Sequence, residues 1–289
     1  MSLKRTIGGL RRWLACVGML CAGGWAQTSR GAEDVKEVRL YTLDCGRADL
    51  KDMSMFSDTG DYDRKPGSIV VSCYVIRHPK GTLVWDTGMG DKLAENKGGV
   101  DNGNIHLTVS VTMVEQLKAL GLTPADVTYV SFSHFHFDHT GNANLFTSAT
   151  WFVDKAELNW ALGSPTPGAV NLESFSSYKT AKMSLIDADY DVFGDGSVRI
   201  LRTPGHTPGH RVLEIRLKKS GTVILSGDLY HLRENVEHRR VPDFNVNRAD
   251  TLASMDRVEK LLKNTKGRLV VQHDAGDFSA MPKFPAYLD

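Results

Sequence analysis

The sequence predicts an α/β layered domain, and three observations support this class. Short runs rich in β-branched and aromatic residues alternate with segments of helical spacing, in two comparable halves of the chain. Residues with metal-binding side chains follow several of the predicted strands. The 289 residues are 41% hydrophobic and 24% charged, which is ordinary for a globular protein and excludes a coiled coil or a collagen-like rod.

The first 26 residues have the pattern of an export signal. A basic start that includes Arg11 and Arg12 precedes an apolar run too short to span a bilayer. Small residues at Gly24 and Ala26 offer a cleavage site before Gln27. We therefore expect a signal peptide, residues 1–26, and a secreted or periplasmic protein, and the arginine pair suggests twin-arginine export. A disordered N-terminal extension is the alternative.

The charge of the chain argues against a nucleic-acid partner. The net charge is +1, and removal of the leader with its four cations and no acids leaves −3. A nucleic acid is held by a surplus of lysine and arginine, which the remaining chain lacks. No later stretch is long and apolar enough to span a membrane, so we expect no stable membrane insertion. The oligomeric state stays open.

Composition and spacing define the predicted elements of the first half. Runs of β-branched and aromatic residues predict strands, and the polar stretch Asp49–Pro66 separates two of them. Apolar residues recur at helical spacing between Ser110 and Leu120, and Gly121 stops the predicted helix. The strands predicted here are Val38–Leu43, Ser68–Ile76, Thr82–Asp86 and Val127–Phe132.

The second half follows the same rhythm. Asp154 is placed to cap a short helix that reaches Leu162, and a longer helix has one apolar face between Leu252 and Leu262. Two strands form a hairpin around Ser220-Gly221. The strands predicted in this half are Thr150–Val153, Val198–Leu201, His210–Leu217, Thr222–Ser226 and Leu269–Gln272. No linker rich in proline, glycine or serine divides the chain, which predicts one domain.

Two cysteines, Cys45 and Cys73, remain after the leader. An oxidising compartment permits a disulfide between them. Cysteines within predicted strands are more often small buried hydrophobic residues, and we favour that interpretation here.

The segment Ser133–His139 carries the strongest chemical signal. Residues 134 and 136 of an extended segment point to the same side, and 138 and 139 can face a second centre as the chain turns. Imidazole and carboxylate groups suit zinc and other borderline divalent ions. The alternative is a chance cluster of solvated or core residues, which would have to account for all seven of the candidates. The metal-capable candidates, all at predicted strand ends, are His134, His136, Asp138, His139, His206, Asp228 and His273.

This pattern of HxHxDH, then a Gly-His, a Gly-Asp and a late histidine resembles the metallo-β-lactamase superfamily. Within it, the chain is most similar to the N-acyl homoserine lactonases, and the similarity extends to Val84–Met89, Thr203–His210 and Phe284–Tyr287. The resemblance implies an αββα sandwich, with two facing mixed sheets and helices outside, as a single hydrolase domain over residues 27–289.

The resemblance also implies the roles of the metal-capable residues. It implies two Zn²⁺ or other divalent ions, with Asp228 bridging them. One ion would be held by His134, His136 and His206, and the other by Asp138, His139 and His273. Asp86 would orient a liganding histidine, or would alternatively form only a turn. We interpret His210 as structural, and His78, His106 and His238 as surface or lid residues.

The implied arrangement suits hydrolysis of an electrophilic carbonyl. Two divalent ions about 3.5–4 Å apart share a water and lower its pKa, and a carboxylate such as Asp228 can accept the water proton. The leading interpretation is attack by metal-bound hydroxide on the lactone ring of N-acyl homoserine lactones. A thioesterase similar to glyoxalase II, a β-lactamase and a non-catalytic zinc-binding protein are the alternatives. No cysteine follows Cys73, which disfavours β-lactamases that use one.

Two short segments bear on the substrate. Met53, Met55 and Phe56 have two interpretations: they cap the core from a loop, which is the one we favour, or they form an apolar wall for an acyl chain. The lactonases carry a tyrosine three residues after the bridging aspartate, and His231 occupies that place here, next to Tyr230. Neighbours in an extended segment point to opposite sides, so only one of the two residues faces the metals. Alignment with the lactonases through Glu234-Asn235 favours His231. The candidate catalytic residues are Asp138, Asp228, His231 and Tyr230.

Overall fold

Two β-sheets pack face to face within residues 35–289, which are the residues that the computed structural model describes. All of the described residues belong to one compact unit. The predicted signal peptide, with its arginine pair and cleavage site, lies outside them, so its prediction stays a prediction.

The larger sheet is mixed. It contains β1 (Arg39–Leu50), β2 (Gly67–His78), β3 (Gly81–Trp85), β4 (Val100–Asn102), β5 (Ile105–Thr108), β6 (Tyr129–Ser131), β7 (Thr150–Asp154) and β8 (Lys182–Ile186). Their order across the sheet is β4-β5-β1-β2-β3-β6-β7-β8. The strands from β4 to β3 in this order pair antiparallel, whereas β3, β6, β7 and β8 run parallel.

The smaller sheet is also mixed. It contains β9 (Tyr190–Asp191), β10 (Val198–Arg202), β11 (Arg211–Leu217), β12 (Gly221–Leu225) and β13 (Arg268–Val270), in the order β13-β12-β11-β10-β9. β12 and β13 pair parallel, and the other pairs are antiparallel. The predicted hairpin between β11 and β12 is present.

Six α-helices accompany the sheets in the described part of the chain. They are α1 (Met113–Ala119), α2 (Phe137–Thr140), α3 (Lys155–Ala161), α4 (Arg233–His238), α5 (Arg248–Thr265) and α6 (Ala275–Ala280). Side-chain caps define four of their starts: Thr112 caps α1, Asp154 caps α3, Asn247 caps α5 and Asp274 caps α6. None of these helices combines the length and apolarity needed to cross a bilayer.

The core forms three layers. One lies between the two sheets, one lies on the outer face of the larger sheet, and one lies on the outer face of the smaller sheet. Residues such as Trp85 and Ile215 fill the space between the sheets. Leu117 of α1 packs on the outer face of the larger sheet, and Met255 of α5 packs on the outer face of the smaller sheet. These layers are helix, sheet, sheet and helix, so the predicted αββα sandwich is confirmed.

Several element boundaries differ from the sequence prediction. β1 continues through a bulge to Leu50, past the predicted end at Leu43, because pairing with β2 and β5 outweighs its polar composition. The hairpin of β4 and β5 and the short helices α4 and α6 were not predicted. Their sequences are short and polar, and they lack a clear hydrophobic period.

Cys45 and Cys73 form a disulfide. The preference for two unpaired buried cysteines was therefore wrong. Cys45 lies in the bulge of β1, where the register against β2 shifts, and its Cα lies 5.8 Å from the Cα of Cys73. Sequence alone does not give a cross-strand register, which is what brings the two residues together.

Candidate metal centre and its cavity

Three histidine nitrogens and one carboxylate oxygen converge at what we call the first group, which consists of His134, His136, His206 and Asp228. His134 Nε2 lies 2.8 Å from His136 Nδ1 and 3.2 Å from His206 Nε2. Asp228 Oδ2 lies 3.4 Å from His206 Nε2 and 3.6 Å from His134 Nε2. All four side chains are buried, so the group forms a pocket of donor atoms shielded from bulk water.

The second group consists of Asp138, His139 and His273. The Nε2 atoms of His139 and His273 lie 3.3 Å apart, and each is within 3.7 Å of Asp138 Oδ2. Asp228 also faces this group, because its Oδ1 lies 3.0 Å from His273 Nε2 and 3.2 Å from His139 Nε2. One carboxylate thus directs one oxygen at each group.

The donor atoms fit divalent cations better than they fit one another. Asp228 Oδ1 is buried and accepts no well-directed hydrogen bond from the part of the chain that the structure describes, although two imidazole nitrogens lie close to it. A buried acceptor without a partner is costly, and a cation placed among these atoms would satisfy it. Imidazole nitrogens and carboxylate oxygens at two adjoining points are the donors that zinc and similar ions use. The residues therefore suit two metal ions.

Burial and neighbouring charges set the protonation of the groups. Burial lowers the pKa of His136 to about 4, and it holds the pKa values of His134 and His206 well below the ordinary range. Burial also opposes a charge on His139 and His273, but the nearby carboxylates, above all Asp228, outweigh it and raise both pKa values. The three histidines of the first group are therefore neutral, as metal ligands must be, whereas the carboxylates around the second group favour a positive charge there.

Asp86 contacts His139 of the second group directly, and Gln272 in turn contacts Asp86. Asp86 Oδ2 lies 2.9 Å from His139 Nδ1, and Asp86 Oδ1 accepts a hydrogen bond from Ser133 N. Gln272 Nε2 donates to Asp86 Oδ2. Asp86 has a φ of 56°, in the left-handed region that is uncommon outside glycine but is adopted by aspartate more often than by most residues. Asp86 therefore orients His139 and is more than a turn residue.

His210 and Val70 orient two further members of the groups. His210 Nδ1 donates to Thr203 O, and its Nε2 accepts from Asp228 N, so His210 fixes the backbone that carries the shared carboxylate. His273 Nδ1 donates to Val70 O at 2.7 Å, which directs Nε2 at the second group. His210 thus lies behind Asp228, as expected of a structural histidine.

A cavity of about 510 Å³ opens directly on both groups. Its floor contains His136, Asp138, Asp228, His231 and His273, and its walls are mostly apolar. Neither lysine nor arginine is among the described residues that line it. A cavity of about 560 Å³ between α1 and residues 278–284 includes no member of the groups. The wall residues are Ala48, Leu50, Met55, Phe56, Ile69, Met89, Ile105, Leu107, Phe137, Trp160, Pro167, Gly168, Ala169, Phe244 and Val246.

The predicted acyl-chain segment divides between the cavity and the core. Met55 and Phe56 line the cavity. Met53 does not, because its side chain is buried in the core and lies against Gly67 of β2. Of the two interpretations, capping of the core therefore holds for Met53. Its place in the sequence did not show that the short turn at residues 54–56 separates it from its neighbours.

His231 and Tyr230 point to opposite sides of the chain. His231 is buried in the cavity floor, with Nε2 3.0 Å from Asp228 Oδ2 and its ring in contact with the rings of Phe56 and Phe244. Tyr230 is buried in the core between the smaller sheet and α5 and does not line the cavity. Tyr230 is therefore removed from the candidate catalytic residues, whereas the role of His231 stays a prediction.

The three histidines that were interpreted as surface or lid residues differ in position. His238 is exposed at the end of α4, and His106 is partly exposed beside Asp101 on the hairpin of β4 and β5. His78 is buried, stacks on Phe193 and lies 2.9 Å from Asp195 Oδ2, so its interpretation was wrong. A lone histidine at a strand end carries no local signal of what packs on it.

Two residues of the site were missed by sequence reasoning. Gln272 accepts hydrogen bonds from Trp85 Nε1 and Gly227 N in addition to its donation to Asp86. Glu157 on α3 accepts backbone hydrogen bonds from Phe135 and Gly209, and both of these residues are in the histidine-bearing loops. The position of Gln272 directly before His273 was an available signal, whereas Glu157 gave none.

Comparison with known proteins supports the resemblance. A family model described as the metallo-beta-lactamase superfamily matches residues 67–273. The N-acyl homoserine lactonase AttM of Azorhizobium caulinodans is 31% identical over 269 residues, which cover 88% of this chain and 99% of that protein. The N-acyl homoserine lactonase AiiA of Bacillus thuringiensis subsp. kurstaki is 30% identical over 259 residues, which cover 86% and 98%.

A solved structure agrees with these sequence matches. An N-acyl homoserine lactone hydrolase with the product N-hexanoyl-L-homoserine bound at its catalytic metal center is 30% identical, with a TM-score of 0.76. The match covers 88% of this chain and all of that one. The resemblance inferred from the motifs is therefore confirmed, and the chain belongs to the metallo-β-lactamase superfamily as one of its hydrolases.

Proposed function

We propose that this hydrolase opens the lactone ring of N-acyl homoserine lactones with two zinc ions. The observation that carries the proposal is the apolar cavity that opens directly on the two donor groups. The named lactonases that match nearly the whole chain, and the similar structure with a ring-opened product at its metal center, support the same activity. Lactone hydrolysis is thus the reaction that the site favours.

The cavity matches the two ends of such a substrate. The lactone head is small, polar and uncharged, and would lie over the floor with Asp138, Asp228 and His231. The acyl tail is apolar and would lie against walls that include Met55 and Leu107. Transfer of each methylene from water to such walls is worth about 0.8 kcal/mol, so the walls favour a substrate with a tail.

The two donor groups would hold the zinc ions, and nitrogen-rich sites of this kind suit that metal. When bound, two divalent cations supply Lewis acidity, which lowers the pKa of water and polarises a carbonyl. We assign the proton transfer to Asp138 in place of Asp228, because the Asp138 side chain is 13% exposed and that of Asp228 only 4%. Asp138 lines the cavity, so its carboxylate can take a proton from water and return it to the leaving alcohol. Asp228 directs one carboxylate oxygen at each group and so fixes the position of one group relative to the other.

We assign His231 the role of a hydrogen-bond donor to the substrate carbonyl. Its buried ring packs against Phe56 and Phe244, so little reorganisation is needed when negative charge develops on the carbonyl oxygen. Removal of one such preorganised donor typically raises the barrier by about 2.7–4 kcal/mol.

We also propose that the protein is exported to the periplasm or beyond. The leader pattern motivates this location, and the Cys45–Cys73 disulfide supports it because disulfides persist in oxidising compartments. Expressed in a Gram-negative host, the protein recovered from the periplasm should begin at Gln27 on amino-terminal sequencing. Recovery of the uncleaved chain from the cytoplasm alone would contradict export.

The activity is tested with a panel of N-acyl homoserine lactones, acyl thioesters and β-lactams. We expect turnover of the lactones to exceed that of the other classes, and KM to fall about fourfold for each methylene added to a tail that stays within the cavity. A thioester or β-lactam with a higher kcat/KM than every lactone would contradict the proposal.

The tail site is tested with Met55→Ser, which removes a half-buried wall residue without opening the core. We expect the dependence of KM on tail length to flatten, with the activity on short-tailed lactones retained. Leu185→Ser is the matched control, since Leu185 is 52% exposed on the edge strand β8 and does not line the cavity. Equal chain-length trends in both variants would place the tail elsewhere.

Asp228→Ala should lower the metal content well below two ions per chain, because each group loses the carboxylate oxygen that Asp228 directs at it. Elemental analysis of the purified protein measures this loss. Asp256→Ala is the control, since Asp256 is exposed and pairs with Arg239 on the surface. Retention of two ions by Asp228→Ala would exclude the bridging role.

His231→Ala should lower kcat about 100- to 1000-fold, while elemental analysis still finds two metal ions. Steady-state kinetics measure the effect. Tyr230→Phe should stay near the wild-type rate, because the phenol lies in the core and its hydroxyl forms no hydrogen bond with the described residues. A reversed pattern in the two variants would show that the phenol reaches the substrate.

A further inference from the structure

Glu157 is a buried carboxylate that belongs to neither donor group. It lies on α3 and is 2% exposed. Burial raises the pKa of its carboxyl to about 7, and nearby Asp154 acts in the same direction. Burial of a carboxylate costs free energy, so we expect its hydrogen bonds to stabilise the fold or the site.

The two oxygens of Glu157 accept from two different histidine-bearing loops. Oε1 accepts from Phe135 N at 2.9 Å, and Phe135 stands between His134 and His136. Oε2 accepts from Gly209 N at 2.9 Å, and Gly209 is in the loop that carries His206. One carboxylate therefore joins the loops that supply all three imidazoles of the first group.

The helix that carries Glu157 is itself fixed. Asp154 caps α3 by accepting from Ala156 N and Glu157 N, and the Arg211 guanidinium pairs with Asp154. The loop sits close against the helix, since a Cβ on Gly209 would lie 2.5 Å from Glu157 Cβ. The carboxylate is thus held on a rigid support, and a shift at Glu157 would be passed to both loops.

We propose that Glu157 is a positioning residue that sets the distance between the His134–His136 pair and His206, and thereby the metal affinity of the first group. Only a carboxylate offers two acceptor oxygens at this spacing. The second group, Asp138, His139 and His273, is oriented by Asp86 and Val70 instead. The effect of Glu157 should therefore be larger on one of the two ions. The inference rests on the proposed function only in that the first group holds a metal.

The test compares Glu157→Gln with Glu214→Gln. Glutamine keeps the shape but turns one acceptor into a donor, which opposes one of the two backbone N–H groups. Glu214 is also fully buried but pairs with Arg199 and Arg216, away from both groups. Titration of the metal-free protein with zinc against a chromophoric chelator should show one of two affinities lowered about 10- to 100-fold in Glu157→Gln alone.

A second measurement does not depend on metal or on activity. Hydrogen exchange of the Phe135 and Gly209 amides in the metal-free protein should be at least tenfold faster in Glu157→Gln than in Glu214→Gln. Gly209→Ala, which pushes the loop away from Glu157, should give the same loss of zinc affinity and serves if Glu157→Gln does not fold.

The outcomes separate the two proposals. Wild-type zinc affinity and unchanged amide exchange in Glu157→Gln would overturn the positioning role, as would equal losses in Glu157→Gln and Glu214→Gln. A wild-type protein that binds no divalent cation would instead contradict the proposed function, while the exchange measurement would still decide whether Glu157 holds the two loops.

Discussion

The Asp228 carboxylate is the point at which the two donor groups meet, and its burial constrains everything around it. Burial opposes its charge, yet His273, His139 and other imidazoles hold its pKa well below the ordinary range. A buried charge of this kind persists only where partners are fixed in advance. His210 fixes the backbone that carries the carboxylate, because its Nε2 accepts from Asp228 N. Gly227 allows His210 to approach this backbone closely, since a Cβ on residue 227 would lie 2.6 Å from His210 Nε2.

The sandwich brings the groups together because their residues follow strands of both sheets. The HxHxDH segment follows β6 of the larger sheet, whereas His206, Asp228 and His273 follow β10, β12 and β13 of the smaller one. The apolar layer between the sheets therefore fixes the distances between the donor atoms. Residues such as Gln272, which contacts Trp85 and Asp86 across this junction, tie the packing of the sheets to the orientation of the ligands.

The sequence predicted those parts of the site that have a local pattern. Four metal-capable residues within six positions, and further ones after strands, indicated the seven side chains that the structure brings together. Glu157 was missed because a single glutamate on a helix has no pattern, and its role depends on two loops distant in sequence. The burial of His78 and the Cys45–Cys73 pairing were misjudged for the same reason. Both depend on register and packing, which local composition does not contain.

The cavity adds a selectivity that the donor groups alone do not provide. Divalent cations act on many electrophilic carbonyls, so the walls must discriminate among substrates. Here the described wall residues carry no positive charge, and apolar side chains surround the floor. A neutral lactone with an apolar tail loses little solvation on entering such a space, whereas a highly charged substrate would lose much more. The ring-opened product of the proposed reaction would carry a new carboxylate, which the same walls solvate poorly. Ionised Asp138 and Asp228 offer that anion no hydrogen-bond donor, so its retention on the floor would depend on His231 and on the cations that the two groups would hold.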